Sequence, residues 1–168
     1  KVYSEEEPGV NLYKYHTYNW ENNPEVKQGN SGPEWLTVST QNKIRASVED
    51  RMNQYGFKLC TEKPDLMLHY HVVIKNEVLY VHDWSCAVQG MPGADQYGPC
   101  NRIRPMHYRE GTLIIDVIDH KNGSQVWRGA AVSVLEGMRP EEVDRRIKAA
   151  TQAIFNKFPE RPVPNATP

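Results

Sequence analysis

Apolar and polar positions alternate most cleanly from Leu66 to Lys75. Leu66, Leu68, Tyr70, Val72 and Ile74 point one way, and Met67, His69, His71, Val73 and Lys75 the other. A period of two predicts a strand with one core face and one mixed face. From Glu110 the pattern tightens into Thr112-Leu113-Ile114-Ile115-Asp116-Val117-Ile118-Asp119, then Lys121-Asn122-Gly123, then a run ending in Trp127-Arg128-Gly129. An apolar strand, a turn suited to positive φ and a second strand predict a hairpin over 111–135. Val10 to Trp20 is dense in aromatic and β-branched residues and reads as a first strand. Phe57–Cys60 and Val78–Trp84 read as two more.

The period changes elsewhere. Ile44, Val48, Met52 and Tyr55 share one helical face, so a helix is predicted over 35–55, with Gly56 as its left-handed stop. A closing helix starts near Pro140, with Glu141 and Glu142 in its first turn and Val143, Ile147, Ala150 and Ile154 as its apolar stripe. Phe155 and Phe158 follow near its end. Residues 1–9 are charged and read as a loose N-terminal segment. Residues 21–34 and 85–109, rich in Gly and Pro, read as loops, the second long enough to be a functional one. Residues 160–168 form a Pro-rich extended tail. The order of strands and helices predicts one α+β domain over 10–159. It is a two-layer sandwich with a mostly antiparallel sheet and two amphipathic helices on one face.

Composition narrows the function classes. The 168 residues carry 20 basic and 21 acidic side chains, a net charge of −1. A nucleic-acid partner is not expected without a basic excess to meet phosphates. A chain of this length buries about 70% of its unfolded surface, so neither metal nor disulfide is needed for folding. No apolar run reaches the ~20 residues of a membrane helix. The chain begins at Lys1 rather than Met, so the lack of a signal segment in it says nothing of compartment. Cys60, Cys86 and Cys100 make an odd count. A Cys86–Cys100 bridge would close the 85–109 loop and remove unfolded-state entropy, about 3 kcal/mol in the chain-entropy picture. Three ordinary thiols are the alternative.

Several residues can carry chemistry. His69 and His71, two apart on a strand, project to one face and form the metal candidate, with His82, Asp83 and His107 as possible partners. Zinc accepts imidazole and carboxylate ligands, and three of them plus water make a catalytic site. The plainer reading is two half-exposed histidines on a mixed sheet face. Asp116 and Asp119 lie in or beside an apolar strand, where a raised pKa would suit acid–base work. Structural roles fit better: Asp116 paired with Arg128 across the hairpin, and Asp119 opening the turn. Cys60, near Lys58 and Lys63, has no identifiable base and reads as a strand thiol. Among the many aromatics most belong to the core, and Trp84 and Tyr97, beside the long loop, are the expected contact surface. Phosphate-loop, His-Glu-x-x-His, Gly-x-Ser-x-Gly and Cys-x-x-Cys motifs are absent.

Three segments together resemble a family of bacterial envelope lipoproteins, domain of unknown function 4136. They are Tyr15-His16-Thr17-Tyr18-Asn19-Trp20; the helix running into Tyr55-Gly56-Phe57 with Pro64-Asp65-Leu66 and its histidine-bearing strand; and Glu110-Gly111-Thr112-Leu113 through Asp116 and Asp119 to Trp127-Arg128-Gly129. A closing helix ending in Phe158-Pro159 also matches. The resemblance spans about 10–159. It implies a signal peptide removed upstream, a lipid anchor preceding Lys1, a periplasmic home at the outer membrane, and other envelope proteins as partners. It supplies no catalytic residue and no cofactor. The expectation is a non-catalytic binding or assembly module. The alternative is a zinc-binding protein or metal-dependent hydrolase built on His69 and His71.

Overall fold

The computed structural model describes residues 1–21, 37–83, 102–135 and 139–160. Its strands are β1 (Val2–Glu6), β2 (Thr17–Trp20), β3 (Lys58–Leu59), β4 (Leu66–Asp83), β5 (Arg102–Asp119) and β6 (Gln125–Val134). They form one six-stranded sheet in the order β1-β6-β5-β4-β2-β3. β1, β6, β5 and β4 pair antiparallel, while β2 runs parallel to both β4 and β3. Helices α1 (Val38–Gln54) and α2 (Val143–Phe155) pack against each other, and their buried stripes join one core with the sheet. This is the expected α+β architecture, with the two parallel pairings added.

The core follows from the periodicities. Ile44, Val48 and Met52 of α1 are buried, as are Val143, Ile147, Ile154 and Phe155 of α2. Facing them are Leu66 and Leu68 of β4, Leu113, Ile115 and Val117 of β5, and Trp127 of β6. Thr37 caps α1, its hydroxyl accepting from the Thr40 amide at 3.2 Å. Gly56 follows α1 at φ 85°, the left-handed stop its position predicted. Pro140–Glu142 form a 3-10 turn leading into α2. Trp127, Phe155 and Phe158 make an aromatic knot, with Trp127 and Phe158 centroids 4.9 Å apart. The Trp127 ring lies where a side chain at Gly129 would stand, so the glycine makes room for it.

Four expectations are corrected. Residues 2–6 are not loose: they form edge strand β1, whose Val2 packs on the core while its backbone pairs with β6. Charge masked this, because an edge strand tolerates polar side chains. The first strand is shorter than Val10–Trp20, since Leu12–Lys14 form a 3-10 turn capped by Asn11 and pairing begins at Thr17. The two strands at 66–74 and 78–84 are one strand, Leu66–Asp83. Residues 102–109 of the expected 85–109 loop are strand instead: β5 starts at Arg102 and pairs with β4 in unbroken register from Asp83↔Arg102 to Leu66↔Asp119, while the rest of that loop lies outside the described residues. Gly and Pro hid that extension, yet Pro105 sits in a two-stranded ribbon where, among the described residues, one side of β5 has no strand to bond.

Candidate functional site

The sheet has a helix-covered face and a second face, here called open, that no helix covers among the described residues. Antiparallel register aligns residues across the open face. Glu5 of β1 sits beside Arg128 of β6, Arg128 beside Asp116 of β5, and Asp116 beside His69 of β4. One step along, Ile114 pairs with His71. The pleat does the rest, because Ile115 and Val117 point into the core and so turn Asp116 outward.

Asp116 is only 3% exposed although it lies on the open face. The Arg128 guanidinium covers it in a fork, with Nε at 2.5 Å from Oδ1 and Nη2 at 2.9 Å from Oδ2. Asp116, with Glu5 nearby, raises the Arg128 pKa above its ordinary value. His71 Nε2 stands 3.4 Å from Asp116 Oδ2. The His69 and His71 rings meet edge to face, 4.1 Å between centroids. His69 Nε2 is buried and, among the described residues, has no hydrogen-bond partner. One ligand atom from each of His69, His71 and Asp116 lies within 4.8 Å of the others.

This brings together part of what the sequence suggested. The Asp116–Arg128 pair is present, and the histidines share a face. The companion missed is Asp116 as a third member of the histidine cluster. Only the β4–β5 register places it there, and no local pattern within either strand fixes that register. His82 and Asp83 lie opposite Ile103 and Arg102 at the far end of β4. From His71 that is about 35 Å of extended chain, so His82 does not join the pair. His107, opposite Val78, is exposed on the same distal ribbon. Trp84, Tyr97, Cys86 and Cys100 lie outside the described residues. Cys60 is a half-buried free thiol beyond β3.

Asp119 acts as a turn anchor. Its Oδ1 accepts from the Lys121 and Asn122 amides at 2.8 and 3.3 Å, and its Oδ2 accepts the Tyr15 hydroxyl at 2.6 Å. The Tyr15 bond above all holds its carboxyl below the usual range, against the opposing effect of burial. Burial first, and Asp119 second, push the Tyr15 hydroxyl up to about 12. Asp65 plays a matching part at the start of β4, accepting from the His16 and Thr17 amides at 2.7 and 3.0 Å. Those bonds lower its pKa, the His16 amide foremost.

A second surface is the distal half of the β4–β5 hairpin. β6 pairs with β5 no further than Glu110, and its continuation adds one bond, from the Leu135 amide to the Arg109 carbonyl. Beyond that, among the described residues, β4 and β5 pair only with each other. Val78, Leu79, Tyr80, Ile103 and Met106 are exposed there. By the pleat, Val78, Tyr80 and Ile103 lie on one face of the ribbon and Leu79 and Met106 on the other. Tyr15, Tyr18, Trp20 and Trp127, by contrast, are buried core.

A small apolar cleft, about 80 Å³, opens between α2 and the sheet, lined by Ile44, Val72, Leu113, Ala131, Leu135 and Ile147 among others. Its walls are mainly aliphatic, and it converges on no acid–base pair.

The molecule is thus a two-layer α+β domain with a His–His–Asp cluster on its open sheet face and a projecting apolar ribbon. The chain belongs to the family described as Domain of unknown function (DUF4136), whose profile matches residues 2–160. Its fold is similar to that of a PDZ domain protein from Parabacteroides distasonis, at 14% identity and a TM-score of 0.56. That match covers 95% of this chain and 36% of the other, so the chain spans little more than a third of that protein's length. It is also similar to the PelC dodecamer from Paraburkholderia phytofirmans, at 9% identity and a TM-score of 0.51, covering 96% and 98% of the two chains. A DUF4136 family protein from Bacteroides thetaiotaomicron matches at 15% identity and a TM-score of 0.48, covering 94% and 93%. No curated protein matches the chain.

Proposed function

We propose that this domain is a non-catalytic binding or assembly module of the cell envelope. It faces the periplasm, is held at the outer membrane by a lipid anchor preceding Lys1, and meets other envelope proteins through its β4–β5 ribbon. The ribbon carries the proposal. A lone two-stranded hairpin is marginal in water, and a long edge strand with apolar side chains is a template for further pairing. Val78, Leu79, Tyr80, Ile103 and Met106 are exposed on both faces of this ribbon, an arrangement suited to a partner that wraps or extends it. The resemblance to envelope lipoproteins in the three sequence segments supports the envelope setting. The PelC dodecamer offers a precedent for a similar fold in a multi-subunit assembly.

The test is site-directed photo-crosslinking in intact envelopes, with the probe at Tyr80 and a control probe at exposed Gln54 on α1. A discrete adduct from position 80 only, abolished by Leu79→Glu, is the expected result. Identical patterns from both positions, or an adduct indifferent to Leu79→Glu, would overturn the proposal.

A further inference from the structure

We propose that His69, His71 and Asp116 form a binding site for a divalent transition-metal ion of the zinc type. Asp116 is 3% exposed, and His69 Nε2 is a buried nitrogen with no partner among the described residues. A buried polar atom left unpaired is costly, and a bound ion or water is one of the few arrangements that relieves that cost. The neighbours of this imidazole are a second imidazole and a carboxylate, with one ligand atom from each of the three residues within 4.8 Å of the others. Tetrahedral sites with bonds of about 2.0–2.1 Å set their ligands about 3.3–3.4 Å apart. The His71 Nε2 to Asp116 Oδ2 separation is already 3.4 Å. A ring rotation that carries a His69 nitrogen inward would close the set to that span.

The surrounding chemistry selects the ion. Two imidazoles and one carboxylate suit zinc, cobalt or nickel, whereas calcium and magnesium favour all-oxygen shells. Arg128 grips Asp116 at both oxygens, which orients the carboxylate as outer-shell partners do and leaves each oxygen a further lone pair. Its positive charge opposes a cation, and Glu5 beside it offsets part of that. Affinity is therefore expected in the micromolar rather than the nanomolar range. The His71 side chain is 32% exposed, so the fourth position opens to solvent. The site stands apart from the distal ribbon, and the two proposals fail independently.

The experiment uses the full chain after chelator treatment. Co²⁺ is titrated in, with visible absorption as the readout, and Zn²⁺ then competes it out. One equivalent of cobalt with the intense bands of a four-coordinate site is expected. His69→Ala and His71→Ala should each weaken binding at least about tenfold, with the metal-free melting temperature recorded to show that both variants fold. A readout that needs no variant is the ring-nitrogen NMR shift of both histidines on adding Zn²⁺. Absence of saturable binding, which would leave a trapped water as the partner of His69, would sink the proposal. So would binding undiminished in the double variant with unmoved histidine shifts, since the metal would then sit elsewhere, at thiols for instance.

Discussion

The two halves of the β4–β5 hairpin differ in what lies against them. Near the turn at Asp119, one face of the hairpin supports the helices and β6 and β2 lie at its sides. Toward Asp83 and Arg102 the same two strands continue in the same register, with apolar residues on both faces and, among the described residues, no further strand alongside. Pairing is equal along the whole length, so the difference between the halves is burial. That separates the part of the hairpin that stabilises the domain from the part available for contact.

The largest expected effect comes from the covered half. Leu68 is completely buried, and Leu68→Ala should cost about 2–5 kcal/mol. Since about 1 kcal/mol shifts the melting temperature of a domain this size by roughly 2–4 °C, calorimetry will show it plainly.

Asp119→Ala comes next, at about 2–3 kcal/mol at neutral pH, because it leaves the buried Tyr15 hydroxyl and two turn amides without their acceptor. This variant also sharpens the comparison through pH. Folding lowers the Asp119 and Asp65 pKa values below the ordinary 3.8. Their contribution is therefore fully present above that value and is lost as the pH falls through the depressed values. Urea titrations below about pH 4 should show a shallower acid loss in Asp119→Ala than in the wild type. Equal slopes would remove Asp119 from this role. At the alkaline end the sign reverses. Tyr15, raised from 10.0 to about 12, contributes below pH 10 and loses that contribution as pH rises toward its folded value.

The smallest effect belongs to the ribbon. Leu79→Ala should change the stability of the isolated chain by less than about 0.5 kcal/mol, as exposed substitutions do. Amides of 77–83 should exchange hydrogen far faster than those of 66–72. A Leu79→Ala cost matching that of Leu68→Ala would break the comparison, by showing that the ribbon is covered even in the free protein.

The amphipathic stripes were legible because a helix or strand with one apolar face has little choice about where that face goes. Ile44, Val48 and Met52, and likewise Leu66 and Leu68, are buried as their spacing required. The Asp119 turn was equally readable, since its bonds reach only two and three residues ahead. Edge strand β1 was not, because its pairing with β6 joins chain segments far apart and leaves most of its side chains exposed. The ribbon was obscured for a related reason: its strands are held by each other, and Pro105 with the Gly and Pro residues before it in the sequence reads as irregular chain.

The candidate site divides in the same way. That His69 and His71 share a face follows from strand alternation alone, a local property of consecutive residues. That Asp116 stands beside them, with Arg128 closing over its carboxylate, was decided by tertiary structure. Sequence sets which side of a strand a residue faces, because the pleat has a period of two. Which residue of a distant strand it meets depends on register, and register is chosen by how the whole core packs.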